Sequence, residues 1–111
     1  IAGTSSSWAA LAEADTLAVS FLSQDQDDVS ARFATSGIDR FAAGGWTELP
    51  TGEAVIEGAV TWLRGRVLDR TPVGESFLVS VQAIEAQTRA DATPLVFHDR
   101  TYHRIGDQTA I

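Results

Sequence analysis

The sequence predicts one mainly β domain of the α+β or barrel type. Three observations carry that prediction. A length of 111 residues allows a single domain. Two helix-patterned segments lie among strand-like stretches, which are separated by turn clusters at 71–74 and 91–94. The composition, 44% hydrophobic and 21% charged, is that of a globular chain and not of a disordered one.

Ser5–Ser7 precede Trp8-Ala9-Ala10-Leu11-Ala12, a run of good helix formers with Trp8, Leu11 and Ala12 on one stripe. The serines read as the N-cap of this helix, or as hydroxyl donors to a phosphate, and both roles can hold together. Leu17, Val19 and Phe21 alternate as on a strand covering 17–22, which places them on one face. Ser23 and Gln26 have the spacing of a capping box, followed by Asp27 and Asp28 in a first helical turn. Val29 and Phe33 share the core-facing stripe of that second helix, which should end near Gly37.

Residues 37–53 hold Gly37, Gly44, Gly45, Gly52 and Pro50, and read as a long irregular loop carrying Asp39, Arg40, Phe41 and Trp46. Arg40 there is either a loop–core ion pair, oriented by Asp39, or a contact to an anion or cofactor. Trp46 and Trp62 read as core residues in preference to stacking platforms. Three strands should follow: 54–70, bulged near Gly65; 76–87, with Phe77, Val79, Val81 and Ala83 on one face and Leu78 and Ile84 on a partly covered second face; and 95–105.

Eight Lys and Arg against fifteen Asp and Glu give a formal charge of −7, which argues against nucleic-acid binding through phosphate contacts. No stretch has the ~20 apolar residues of a membrane helix. Without Cys, thiolate metal sites, disulfides and cysteine nucleophiles are excluded, and the expected compartment is cytoplasmic. The sequence has no Gly-x-Ser-x-Gly, Walker or Gly-x-Gly-x-x-Gly motif. His98 and His103 are the only histidines, and on one strand their spacing of five puts them on opposite faces, so no metal site is expected. By the same parity His103 joins Leu95, Phe97 and Ile105. It is either a hydrogen-bonded core-edge histidine or a donor to a cofactor.

Several pieces, in order, resemble the flavin reductase-like FMN-binding family. They are Ser5–Leu11, Leu17–Ser23, Gln26–Ala34, Asp39-Arg40-Phe41-Ala42, Trp46, Pro50-Thr51-Gly52, Ala59–Leu63 and the closing Pro94–Ile105 with Tyr102-His103-Arg104. The resemblance implies a split β-barrel, a homodimer with flavin near the subunit interface, and reduction of FMN or FAD by NADH or NADPH. In two-component systems the reduced flavin passes to a partner monooxygenase. It also implies that Ser5, Ser6, Ser7 and Trp8 lie by the flavin phosphate and ribityl chain, Arg40 and Phe41 border the pocket, and Tyr102 and His103 lie near the flavin or nicotinamide edge. No side-chain nucleophile is required, and His103 is the one side chain placed to assist. The family's Gly-Asp-His turn is Gly74-Glu75-Ser76 here, which leaves a non-catalytic flavin- or cofactor-binding barrel as the alternative. Gly3 and Thr4 stand where a basic residue often precedes the serines. The family's N-terminal strands have no counterpart, and Ile1-Ala2 reads as a strand end. Residues 1–111 are therefore expected to be the C-terminal part of one domain.

Overall fold

The computed structural model describes residues 1–35 and 37–104. The elements in chain order are α1 (Trp8–Leu11), β1 (Thr16–Phe21), α2 (Asp27–Ala34), β2 (Trp46–Glu48), β3 (Ala54–Ile56), β4 (Thr61–Val73), β5 (Ser76–Thr88), β6 (Leu95–His98) and β7 (Thr101–Arg104). Strands β1, β4 and β5 form an antiparallel sheet with β4 in the middle, while β2–β3 and β6–β7 are separate antiparallel hairpins.

The β4–β5 hairpin is the spine. It turns on Gly74-Glu75, with Gly74 at φ +60°, so β4 runs through Val73 and the turn expected at 71–74 sits further on. Pro72 is tolerated there because β1 pairs only as far as Arg66, which leaves that edge of β4 open. Register shifts put Ile84 and Leu68 in bulges, the first beside Gly65 as the sequence suggests. Gly65 is buried where a Cβ would come within 2.3 Å of Val81 Cγ1 and 2.8 Å of the Gln82 carbonyl oxygen.

Phe77, Val79 and Val81 are half-buried, and Trp8 stacks on Phe77. Arg70 fastens α1 above this face by donating to the carbonyls of Leu11 and Ala14 at the end of the helix. The second face of β5 is not covered as expected: Leu78 and Ile84 are exposed. On β1, Val19 and Phe21 are likewise exposed. The β2–β3 hairpin docks through the other parity, where Ser20 Oγ accepts from Ile56 N at 3.0 Å and Thr16 Oγ1 donates to Glu53 Oε1 at 2.6 Å.

The expected strand over 54–70 is interrupted at 57–60, and the expected loop over 37–53 contains β2. Ser7 is the N-cap position of α1 but makes no side-chain cap; instead Ser5 Oγ accepts from Ser7 N at 3.3 Å. The Gln arm of the capping box is present, with Gln26 Oε1 accepting from Ser23 N at 2.9 Å, although the helix itself opens at Asp27.

The strand expected over 95–105 is a hairpin, turning at Asp99 and Arg100 with φ of 53° and 59°. Reversal of the chain changes the parity. Val96 pairs with His103 and His98 with Thr101, so both histidines share one face, with ring centroids 6.0 Å apart. Tyr102 takes the face of Phe97, at 5.0 Å between rings, and His103 does not. Ile105 lies outside the described residues. No helix among the described residues is long and apolar enough to cross a membrane.

Candidate functional site

The candidate site flanks helix α2. Acids at its start suit the helix dipole, and Val29 and Phe33 turn inward. Thr35 follows its last turn, and Thr35 O accepts from Arg40 Nε at 3.1 Å. Arg40 Nη2 then donates to Ser6 Oγ at 3.2 Å across 34 positions of sequence. Ser6, Gly37, Ile38, Asp39, Arg40 and Phe41 line a cleft of about 310 Å³.

Among the described residues Arg40 has no carboxylate partner, and its side chain instead bonds Thr35 O and Ser6 Oγ. Asp39 does not orient it either: Asp39 Oδ1 accepts from Phe41 N at 3.1 Å, which shapes the loop. Phe41 is fixed edge-on between Phe33 and Trp46, and Trp46 Nε1 donates to Phe41 O at 3.0 Å. Ser5 and Ser7 are half-buried and bonded to each other, so Ser6 alone of the three serines faces this cleft. Trp8 is held by Phe77, with centroids 4.1 Å apart.

Tyr102 and His103 line a second, smaller cleft of about 100 Å³ with Gln24, Asp27 and Leu95. Tyr102 Oη donates to Ser30 Oγ at 3.1 Å, and His103 Nε2 lies 3.2 Å from the His98 carbonyl oxygen. The two clefts share no lining residue. They meet through α2, because Ser30 serves one and Thr35 the other, roughly 8 Å apart along the helix at 1.5 Å per residue.

A third cleft, about 370 Å³, lies over Trp62, Val55 and Ala59. The sequence gives no signal for Glu53, whose side chain is 8% exposed and 3.8 Å from Arg64 Nη1. Hydrogen bonds from Thr16 and then Thr51 hold its carboxyl below the ordinary carboxylate range, despite the opposing effect of burial. Gln24, Asp27 and Ser30 were also missed as site residues, since their approach to Tyr102 and His103 depends on how the last hairpin docks. Among the described residues no three of His, Cys, Asp and Glu could hold a metal ion.

A mainly β fold with two short helices, built from a three-stranded antiparallel sheet and two hairpins, is of the split-barrel class. The chain belongs to the flavin reductase-like domain family, whose profile matches residues 1–106. It is 38% identical over 109 residues to an NADH:FMN oxidoreductase of Rhodococcus erythropolis, covering 94% of this chain and 57% of that one. It is 30% identical over 103 residues to HsaB of Mycobacterium tuberculosis, the reductase subunit of a flavin-dependent monooxygenase, covering 91% and 55%. A flavin reductase domain protein from Arthrobacter sp. FB24 superposes with a TM-score of 0.88 at 29% identity, over 96% of this chain and 66% of that one. The chain thus spans a little over half the length of the curated relatives it matches.

Proposed function

We propose that this chain forms part of an NAD(P)H-dependent flavin reductase that supplies reduced FMN or FAD to a partner monooxygenase. The observation that carries the proposal is the Arg40–Ser6 contact. It joins two segments that the family resemblance assigns to the flavin, around a cleft with a cationic fork and a hydroxyl donor. That donor set fits a phosphate, which asks for charge and directed hydrogen bonds.

A bound nicotinamide and flavin would supply the hydride-transfer chemistry between them. The chain's own residues bind and orient. Arg40 and Ser6 would hold the phosphate end, with Ser5 and Ser7 shaping the turn that presents Ser6. Phe41 offers an exposed ring edge at the mouth of the cleft, and Trp8 fixes the serine turn to the sheet. Tyr102 and His103 would border the flavin or nicotinamide edge, where His103 can donate from a ring nitrogen. Exposed Val19 and Phe21 on β1 support burial of that sheet face in a homodimer.

The test is nicotinamide oxidation followed by absorbance in the presence of FMN or FAD, using the full-length protein. Flavin-dependent loss of the nicotinamide band is expected. No oxidation with either NADH or NADPH overturns the proposal.

One observation favours a second reading, a flavin-binding barrel without turnover. Ser76 directly follows the Gly74-Glu75 turn, where the family pattern has histidine, and a hydroxyl cannot match an imidazole in reach or charge. This reading predicts flavin retained on purification with negligible nicotinamide oxidation. A fast wild-type enzyme removes it.

A further inference from the structure

We infer that Ser30 is a positioning residue for Tyr102, and through it sets the wall of the cleft that Tyr102 shares with His103. The inference rests on the reading above, that this cleft takes the nicotinamide or flavin edge.

The β6–β7 hairpin is not part of the main sheet. Its β6 side is secured by backbone: Leu95 N donates to Leu22 O at 2.9 Å, Gln24 N to Thr93 O at 2.8 Å, and Ser23 bridges to Pro94. Among the described residues its β7 side has no such backbone bond to the rest of the chain. Of Thr101, Tyr102 and His103, Tyr102 is the one whose side chain hydrogen-bonds outside the hairpin among the described residues, through Tyr102 Oη to Ser30 Oγ, 72 positions apart in sequence. The bond is partly buried, so water competes for it weakly. Ser30 lies on a helical segment anchored at its start, where Ser30 N donates to Gln26 O and Gln26 Nε2 donates to Glu57 O. A rigid hydroxyl therefore fixes the phenol on a hairpin that two residues with positive φ, Asp99 and Arg100, close under backbone strain. Tyr102 in turn fixes its neighbour His103. Gln24 and Asp27, from the turn before α2 and its first residue, complete the cleft. The cleft width is thus the distance between α2 and β7, and Ser30 is what sets it.

Tyr102 is the one tyrosine of residues 1–111, and in full-length protein labelled with 3-fluorotyrosine its fluorine resonance is identified as the one that Tyr102→Phe removes. Ser30→Ala should move that resonance and Ser30→Thr should restore it. In turnover, Ser30→Ala and Tyr102→Phe should each raise KM for the nicotinamide cofactor about fivefold, the loss of one hydrogen bond, with kcat nearly unchanged. The double variant should be no worse than either single one, because both remove the same bond. An unmoved resonance in Ser30→Ala overturns the inference, and so do additive KM effects. A chain that oxidises no nicotinamide overturns the functional reading instead, and the resonance then decides the Ser30–Tyr102 coupling by itself.

Discussion

The indole of Trp8 lies flat on the ring of Phe77, with centroids 4.1 Å apart and planes within 9°. This stack joins the serine turn to β5. It makes Trp8 a fixture of the fold beside the proposed phosphate cleft. Trp8→Ala should cost about 2 kcal/mol, below the full penalty for a buried aromatic because both rings are only half-buried. Trp8→Phe should keep most of that stability and bind FMN within about twofold of wild type. Denaturant unfolding with flavin titration measures both. A stable Trp8→Ala variant that has lost flavin would instead make Trp8 a direct ligand contact.

Arg40 and Ser6 meet at 3.2 Å, so a phosphate should feel both. Arg40→Ala is expected to weaken FMN binding about tenfold, the scale of one charged hydrogen bond. Riboflavin, which lacks the phosphate, should lose little. Equal losses for the two flavins would move the phosphate away from this cleft.

Glu53 binds the β2–β3 loop to the sheet through Thr16, Thr51 and Arg64. Its carboxyl titrates below the unfolded value of 4.5 because the folded state favours the charged form. The unfolded chain therefore binds more protons in that window. The stability Glu53 contributes is fully present above the unfolded value and is lost as pH falls through the lowered folded one. Tm should drop on acidification in the wild type. In Glu53→Gln it should start lower at neutral pH and fall less steeply. Parallel Tm curves would remove Glu53 from the acid response.

Gly65→Ala tests the close approach of β4 and β5. The added methyl would meet the Val81 side chain and also the backbone of Gln82, which cannot rotate away. A loss of about 2 kcal/mol or more is expected, at the upper range for overpacking. Wild-type stability in Gly65→Ala would show that the bulge relaxes at no cost.

Several elements were legible from local pattern alone. Trp8–Leu11 reads as helix because good helix formers follow a serine run, and β5 reads as strand from its alternation. Other readings failed where pairing decides. Residues 95–104 have unbroken strand composition, and Asp99-Arg100 carries no glycine to signal a turn, so only the observed register reveals the hairpin and the shared face of His98 and His103. On β1, alternation puts Leu17, Val19 and Phe21 on one face but does not say which face meets the rest of the fold. The hydroxyls of Thr16 and Ser20 bond the β2–β3 hairpin, and that docking outweighs the apolar character of Val19 and Phe21.

The sequence by itself determined the family, the mainly β character, the acidic charge and the absence of thiol chemistry. All of these depend on residue identity and short-range order. The tertiary structure decided that Arg40 reaches Ser6, that Tyr102 reaches Ser30, and that the proposed binding residues lie in two clefts along one helix. Those relationships span 34 and 72 positions. No local preference encodes them, because they exist only once the hairpins have docked on α2 and on the β1–β4–β5 sheet.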